Sequence, residues 1–158
     1  MRSSRILFVV ACSYLGSCDV FLDCDPDEQE SVQEGHDVTW LRCPLGQCWI
    51  DNNCVGVPGR FSWDKAMDAC PQGWRLPTRE DFLDLLGECE EDASGDGTET
   101  CGSCGEECNA LFGLYNDDHG YYWSSTEDGE EAWSVYFNYG NAGFESKDEK
   151  HWARCVKL

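Results

Sequence analysis

Cysteine constrains this chain more than any other residue. Twelve occur among 158 residues, at positions 12, 18, 24, 43, 48, 54, 70, 89, 101, 104, 108 and 155. So thiol-dense a small protein either closes disulfides in an oxidising compartment or holds a metal in a reducing one. The compartment therefore has to be read first. Arg2 and Arg5 precede an apolar run that begins at Ile6 and continues, less purely, to Leu15. A membrane-spanning helix needs roughly 20 apolar residues, and this run is shorter. A charged start, a short apolar stretch and small residues behind it make residues 1–17 a secretory leader.

The end of the leader is more specific. Leu15-Gly16-Ser17-Cys18 resembles a bacterial lipobox. The resemblance implies cleavage before Cys18 and acylation of that cysteine. One acyl chain gives only marginal binding, at ~0.8 kcal/mol per buried CH₂, so stable anchoring takes several. Val9-Val10-Ala11-Cys12 offers the same pattern behind a much shorter apolar stretch. Ordinary cleavage, with Cys18 left as a thiol or half-cystine, is the plain alternative. The expected address is the bacterial cell envelope, reached by export and held by lipid; periplasmic or secreted forms are the other outcomes.

Without residues 1–17 the chain has 141 residues, one domain's worth, with nine basic against 31 acidic side chains, a net of −22. Such a surface repels nucleic acid, anionic headgroups and sulfated polysaccharides, and attracts cations. Setting aside Cys12 and Cys18 leaves ten cysteines, an even number that reads as up to five disulfides. Cys101-Gly-Ser-Cys104 has zinc-knuckle spacing, but it is the one such pair and lies in a string of acids. Thiolate metal sites and redox chemistry are therefore weaker readings than disulfides.

Residues 18–37 are polar and acidic and read as a tether. Residues 38–57 read as two short strands around turns at Pro44, Gly46 and Asp51-Asn52-Asn53. Ser62 is a good N-cap, and Trp63, Ala66, Met67 and Cys70 then fall on one helical face, which Pro71 and Gly73 end. Thr78 with Asp81 makes a variant capping box for a second helix with the stripe Phe82, Leu85, Leu86 and Cys89. Residues 88–109 are rich in acid, Gly and Cys and supply almost nothing to a core. The last third is strand-like. Trp133, Val135 and Phe137 alternate with Ser134, Tyr136 and Asn138, Gly140-Asn141 makes a turn, and Trp152 to Lys157 closes the chain. The expected class is α+β: two helices packed on a twisted antiparallel sheet, stapled by disulfides.

Motifs that suggest chemistry mostly have a structural reading. Trp74-Arg75-Leu76-Pro77-Thr78 sets a helix start, with Arg75 pairing a carboxylate or carbonyls. Ser124 and Ser125 lack a histidine partner, since His36 lies in the tether and His119 and His151 in loops. Asp92-Ala-Ser-Gly-Asp96-Gly97 echoes the first half of a calcium loop, but Ser103 stands where its closing Glu belongs. Asp92 and Asp96 are thus the candidate metal residues, with Ca²⁺ the one conceivable cofactor. Tyr121, Tyr122, Trp133, Tyr136 and Tyr139 crowd the C-terminal strands. Those on turns, with Asn116, Asn138 and Asn141, are the candidates to stack on and hydrogen-bond a ligand.

Five segments resemble one family in order and spacing: Val38-Thr-Trp-Leu-Arg-Cys-Pro-Leu-Gly-Gln, Trp63-Asp-Lys-Ala, Gly73-Trp-Arg-Leu-Pro-Thr-Arg-Glu-Asp-Phe, Tyr122-Trp-Ser-Ser-Thr-Glu and Ala153-Arg-Cys-Val. They are similar to the bacterial DUF1566 domain, the C-terminal domain of the Legionella collagen-like protein, and to the related Fibrobacter major paralogous domain. The likeness covers residues 38–157 and implies a C-type-lectin-like fold. It also implies two bridges, Cys70 to Cys155 and Cys43 to Cys54, which would leave six cysteines with fifteen open pairings. The cysteine cluster of residues 88–109 departs from the family pattern. So does Trp123-Ser124-Ser125, which stands where a calcium-dependent lectin signature would be expected. The implied function is a non-enzymatic surface module, binding or adhering to an extracellular glycan or protein. A structural envelope protein is the second reading. An oxidase like the formylglycine-generating enzymes, which share the broad fold, is the third.

Overall fold

The computed structural model describes residues 7–12, 18–23, 31–33, 38–51, 53–87, 89–91, 98–101, 120–136 and 140–157. Leu7–Cys12 (β1) and Cys18–Asp23 (β2) pair as an antiparallel hairpin in a sheet of their own. Ser31–Gln33 (β3) then pairs with Thr39–Leu41 (β4). The folded domain thus takes in three residues that sequence assigns to the tether. Gln47–Ile50 (β5) and Asn53–Gly56 (β6) form a second hairpin, and Arg60–Phe61 (β7) leads into the first helix.

Trp63–Met67 (α1) is a single turn and a half, stopping before the expected Cys70. Ser62 has extended N-cap geometry, but its hydroxyl makes no cap bond; the Trp63 amide donates instead to the Lys147 carbonyl at 3.0 Å. So short a helix has no stability of its own. Trp63 and Ala66 bury it against the sheet, whereas Met67, expected in the same stripe, is exposed. Arg79–Leu86 (α2) carries the full capping box: Thr78 Oγ1 accepts from the Asp81 amide, and Asp81 accepts from the Thr78 amide. Gly87, at φ 84°, ends it in a conformation few other residues adopt. Cys89 therefore falls outside the helix and opens a strand.

That strand, Cys89–Glu91 (β8), pairs with Glu99–Cys101 (β9), setting Cys89 opposite Cys101. Tyr121–Asp128 (β10), Glu131–Tyr136 (β11) and Asn141–Ser146 (β12) form a meander. His151–Trp152 (β13) and Val156–Lys157 (β14) follow. The main sheet runs β7-β13-β10-β11-β12-β9-β8, and a second runs β14-β4-β3. The expected single closing strand is thus split between two sheets. The main sheet is also not wholly antiparallel, because β13 lies parallel to β10. The Lys147–Lys150 connection carries the chain from β12 to the far flank of β10. It does so on the side where α1 sits, since Lys147 bonds the Trp63 amide and holds its ammonium 4.5 Å from the Trp63 ring.

The result is α+β: two helices on a strand-rich sheet. Each face of the main sheet has its own core. Trp40, Phe82, Leu86, Tyr122, Trp133, Val135 and Trp152 pack on the α2 side; Trp63, Ala66, Leu76, Trp123, Ala132 and Ala153 pack on the α1 side. Trp40, Trp123 and Trp133 are fully buried. Each contributes roughly 4–6 kcal/mol of apolar burial before entropy is charged against it.

Candidate functional site

The segments around Pro77 and Ser125 grip each other. Ser125 donates from its amide at 2.7 Å and from its hydroxyl at 3.2 Å to the Pro77 carbonyl. Thr126 Oγ1 accepts from the Arg79 amide at 2.9 Å, satisfying an orphan donor of the first turn of α2. Ser124 Oγ accepts from the Thr126 amide at 3.1 Å. Arg75 grips Asp81 through both guanidinium nitrogens, at 2.6 and 3.2 Å. Burial works against the Asp81 carboxylate, but Arg75 and the Thr78 amide and hydroxyl outweigh it and hold its pKa below the usual value. These residues position the start of α2 on β10. The Ser124, Ser125 and Thr126 hydroxyls are each engaged with the main chain.

Cys43–Cys54 and Cys70–Cys155 are disulfides, with Cα atoms 5.6 and 5.8 Å apart. The second ties the segment after α1 to the start of β14. Cys48 is disulfide-bonded as well. Cys18 is the first residue of β2. Asn116, Asn138, Tyr139, Asp92 and Asp96 lie outside the described residues. Among the described residues no group of three or more His, Cys, Asp or Glu side chains is arranged to hold a metal. Asn141 is exposed at the start of β12, directly across from Tyr136.

Directly paired residues share a sheet face, so the register fixes what surrounds Asn141. On the α1 side, one row across the strands reads Tyr121, Tyr136, Asn141 and Thr100; the next reads Trp123, Ser134 and Gly143; Ala132 and Glu145 follow. His151 sits on the same side, its ring 4.3 Å from Trp123 and 5.4 Å from Tyr121. Tyr121 and Tyr136 are 5.5 Å apart. The core of α1 reaches Trp123 and Ala132. Beyond it Tyr121, Tyr136, His151 and Glu145 remain half-buried.

Among the described residues, two buried polar atoms of this face have no hydrogen-bond partner. Ser134 is fully buried with its Oγ unbonded, and His151 Nε2 is likewise buried and unbonded. Burial pushes the His151 pKa down, against the pull of Glu149 and the Lys150 main chain, with Arg60 adding to the fall. Burial pushes Glu145 up, helped by Glu149 and Glu131. Burial, then Glu145, then Tyr136 push Tyr121 up. Glu145 and Tyr121 thus feel each other across the row where Ser134 and Gly143 offer little side chain. Glu149, on the crossing connection, acts on both Glu145 and His151.

On the other side of the sheet the acidic insertion is fastened to the core. Arg79 Nη2 donates to both Glu99 carboxylate oxygens, at 2.8 and 3.0 Å, and Trp133 Nε1 donates to Glu99 Oε2 at 3.0 Å. The guanidinium also lies 5.7 Å from the Trp133 ring centre. The segment expected to supply almost nothing to a core therefore contributes a strand pair and a half-buried anchor. No pattern in the sequence marks Glu99 among the 31 acids of the chain.

The motifs that lock α2 onto β10 are those on which the resemblance rests, and the comparison with family models agrees. The Lcl C-terminal domain model matches residues 32–157. The chain belongs to the Lcl C-terminal domain family. No curated protein and no solved structure matches it. The match begins inside β3, in step with the first strand that joins the domain.

Proposed function

We propose that this protein is an exported, lipid-anchored surface module of the bacterial envelope, with a C-type-lectin-like fold, that binds an extracellular glycan or protein rather than catalysing a reaction. The observation that carries the reading is the half-buried face of Tyr121, Tyr136, His151 and Glu145 left beyond α1, with Asn141 at its edge. Aromatic surface ringed by a few polar groups is the composition of a binding site. The engaged hydroxyls of Ser124 and Ser125 speak against acyl chemistry. The N-terminal hairpin supports processing: β1 shares a sheet with β2 alone, so cleavage before Cys18 would take no strand from the domain. Anchoring would then rest on lipid at Cys18, with no role for nucleic acid at a surface of this charge.

The test is an array of polysaccharides and envelope proteins probed with the mature domain, with and without Ca²⁺. Binding that Tyr121→Ala and Tyr136→Ala abolish supports the reading. No binding across the array favours the structural envelope protein instead. Mass spectrometry of the mature N-terminus would read the lipid directly, and an unmodified Cys18 thiol would refute that part.

A further inference from the structure

Resting on the lipid-anchor reading, we propose that Cys48 is bridged to Cys24, and that this staple stands the β5–β6 hairpin, with Val55 and Val57, on the headgroup layer of the bilayer that holds the lipid on Cys18. The segment after Cys18 is then a short foot rather than a free tether. Exclusion, proximity and surface character lead there in turn.

Cys48 is buried and disulfide-bonded. Cys43 and Cys54 hold each other, as do Cys70 and Cys155. Cys89 stands directly across from Cys101 in the β8–β9 ladder, a spacing that a disulfide spans. Those two strands end the main sheet on one flank. The β5 strand belongs to the other, because the Leu45 amide donates at 2.9 Å to the Ala153 carbonyl, next to β13. Four strand spacings, about 19 Å, separate β13 from β9. Cys12 leaves with the leader. Cys24, by contrast, is at hand: β2 comes within 8 Å of β5, Cα to Cα, and Cys24 is the residue that follows β2. The bridge forms by thiol–disulfide exchange, in which the two thiols give two protons and two electrons to a disulfide-bearing oxidant of the exported compartment. Cleavage removes β1, with which β2 pairs, so contact with β5 and the bridge hold β2 in the mature protein. From Cys18 to Cys24 the chain spans at most about 21 Å, against about 70 Å for a free tether running to Val38. The hairpin so placed has a surface unlike the rest. Val57 is 83 % exposed and Val55 42 %. Residues 38–60 hold one acid, Asp51, against Arg42 and Arg60, in a chain with 31 acids and 11 Lys and Arg. Headgroups that repel the domain elsewhere repel it least here, and exposed aliphatic side chains gain by entering the headgroup–acyl boundary.

Disulfide mapping tests the staple. The full chain, exported to an oxidising compartment and alkylated without reduction, is digested with chymotrypsin, which cuts after Leu45 and Trp49 and so parts Cys48 from Cys43 and Cys54. A linked pair of peptides carrying Cys24 and Cys48 is expected. Cys48 joined to any other cysteine, or alkylated, overturns the proposal. Hydrogen exchange tests the docking. The lipidated protein on vesicles of phosphatidylethanolamine and phosphatidylglycerol is compared with the same domain, carrying Cys18→Ser and exported behind an ordinary secretory leader, in solution. Amides of residues 53–57 should exchange several-fold more slowly on the vesicles. Cys24→Ser and Val57→Asp should each erase that slowing. Circular dichroism melts confirm that the variants fold, and Val57→Asp, at an exposed side chain, carries the test if Cys24→Ser unfolds. Equal exchange in the two forms overturns the docking, as does slowing that Val57→Asp leaves intact. A lipid on Cys18 with no slowing means that the anchor reading stands and the docking fails. A Cys18 without lipid sinks the anchor reading and the docking with it, and the peptide map still decides the staple.

Discussion

Glu99 ties three elements of this fold together, and replacing it has a calculable effect. Its carboxylate receives two bonds from Arg79 and one from Trp133, so it joins β9 to the start of α2 and to the centre of β11. Glu99→Ala leaves Arg79 and Trp133 without this acceptor. Trp133 is fully buried, and leaving its indole N–H unsatisfied costs about 1–3 kcal/mol. The Arg79 and Glu99 side chains are 28 % and 18 % exposed. Their pair therefore falls between the near-zero value of a surface bridge and the several kcal/mol lost when a buried one is broken, about 1–2 kcal/mol. The sum is about 3 kcal/mol, which in a domain this size lowers Tm by about 6–12 °C. Glu99→Gln keeps an oxygen for Trp133 and loses the charge, so about 1–2 kcal/mol and about half that shift follow. Calorimetric melts of wild type, Glu99→Gln, Glu99→Ala and Arg79→Met provide the measurement. Hydrogen exchange should show the loss of protection concentrated in β8 and β9, because Glu99 fastens that ribbon while β11 keeps both its neighbours. A Glu99→Ala melt within 2 °C of wild type, or exchange that rises evenly across the sheet, would refute the assignment.

The Cys70–Cys155 and Cys43–Cys54 disulfides should differ in weight. The bridge from Cys70 to Cys155 spans 85 residues and that from Cys43 to Cys54 spans 11; loop entropy assigns them about 4.6 and about 2.8 kcal/mol. Guanidinium unfolding of the two Cys→Ala double variants tests the order, and equal losses would contradict it. Asp81 should govern the acid limb of stability. Its folded pKa lies below the unfolded one, so its contribution is present above about pH 4 and is lost as pH falls through the folded value. Asp81→Asn should cost about 1–2 kcal/mol at pH 7 and flatten that limb in urea titrations at pH 2–5; an unchanged acid limb would show that another carboxylate governs it.

What sequence made legible was local and periodic. Thr78 and Asp81 lie three residues apart, and their reciprocal capping needs nothing else to be in place. Trp133 and Val135 alternate with Ser134 and Tyr136 because a strand has no other option. The failures share a cause: each depends on a partner distant in the chain. Met67 fits the helical stripe, yet α1 ends there, a short turn whose first amide is taken by the Lys147 carbonyl far along the chain. His151 reads as a loop residue because a two-residue strand carries no period; only the addition of that strand to β10 brings its ring beside Tyr121 as the third of the candidate site. Residues 99–101 read as coreless because Glu99 is an acid, and an acid enters a core only through partners that sequence does not name. The same limit applies to the α1 side of the sheet. Ser134 and Gly143 look like ordinary alternation until register sets them side by side, between the tyrosine row and Glu145. Tyr121, Tyr136 and Asn141 lie on three strands and become one row only when those strands are paired, so the site is a property of register rather than of any segment.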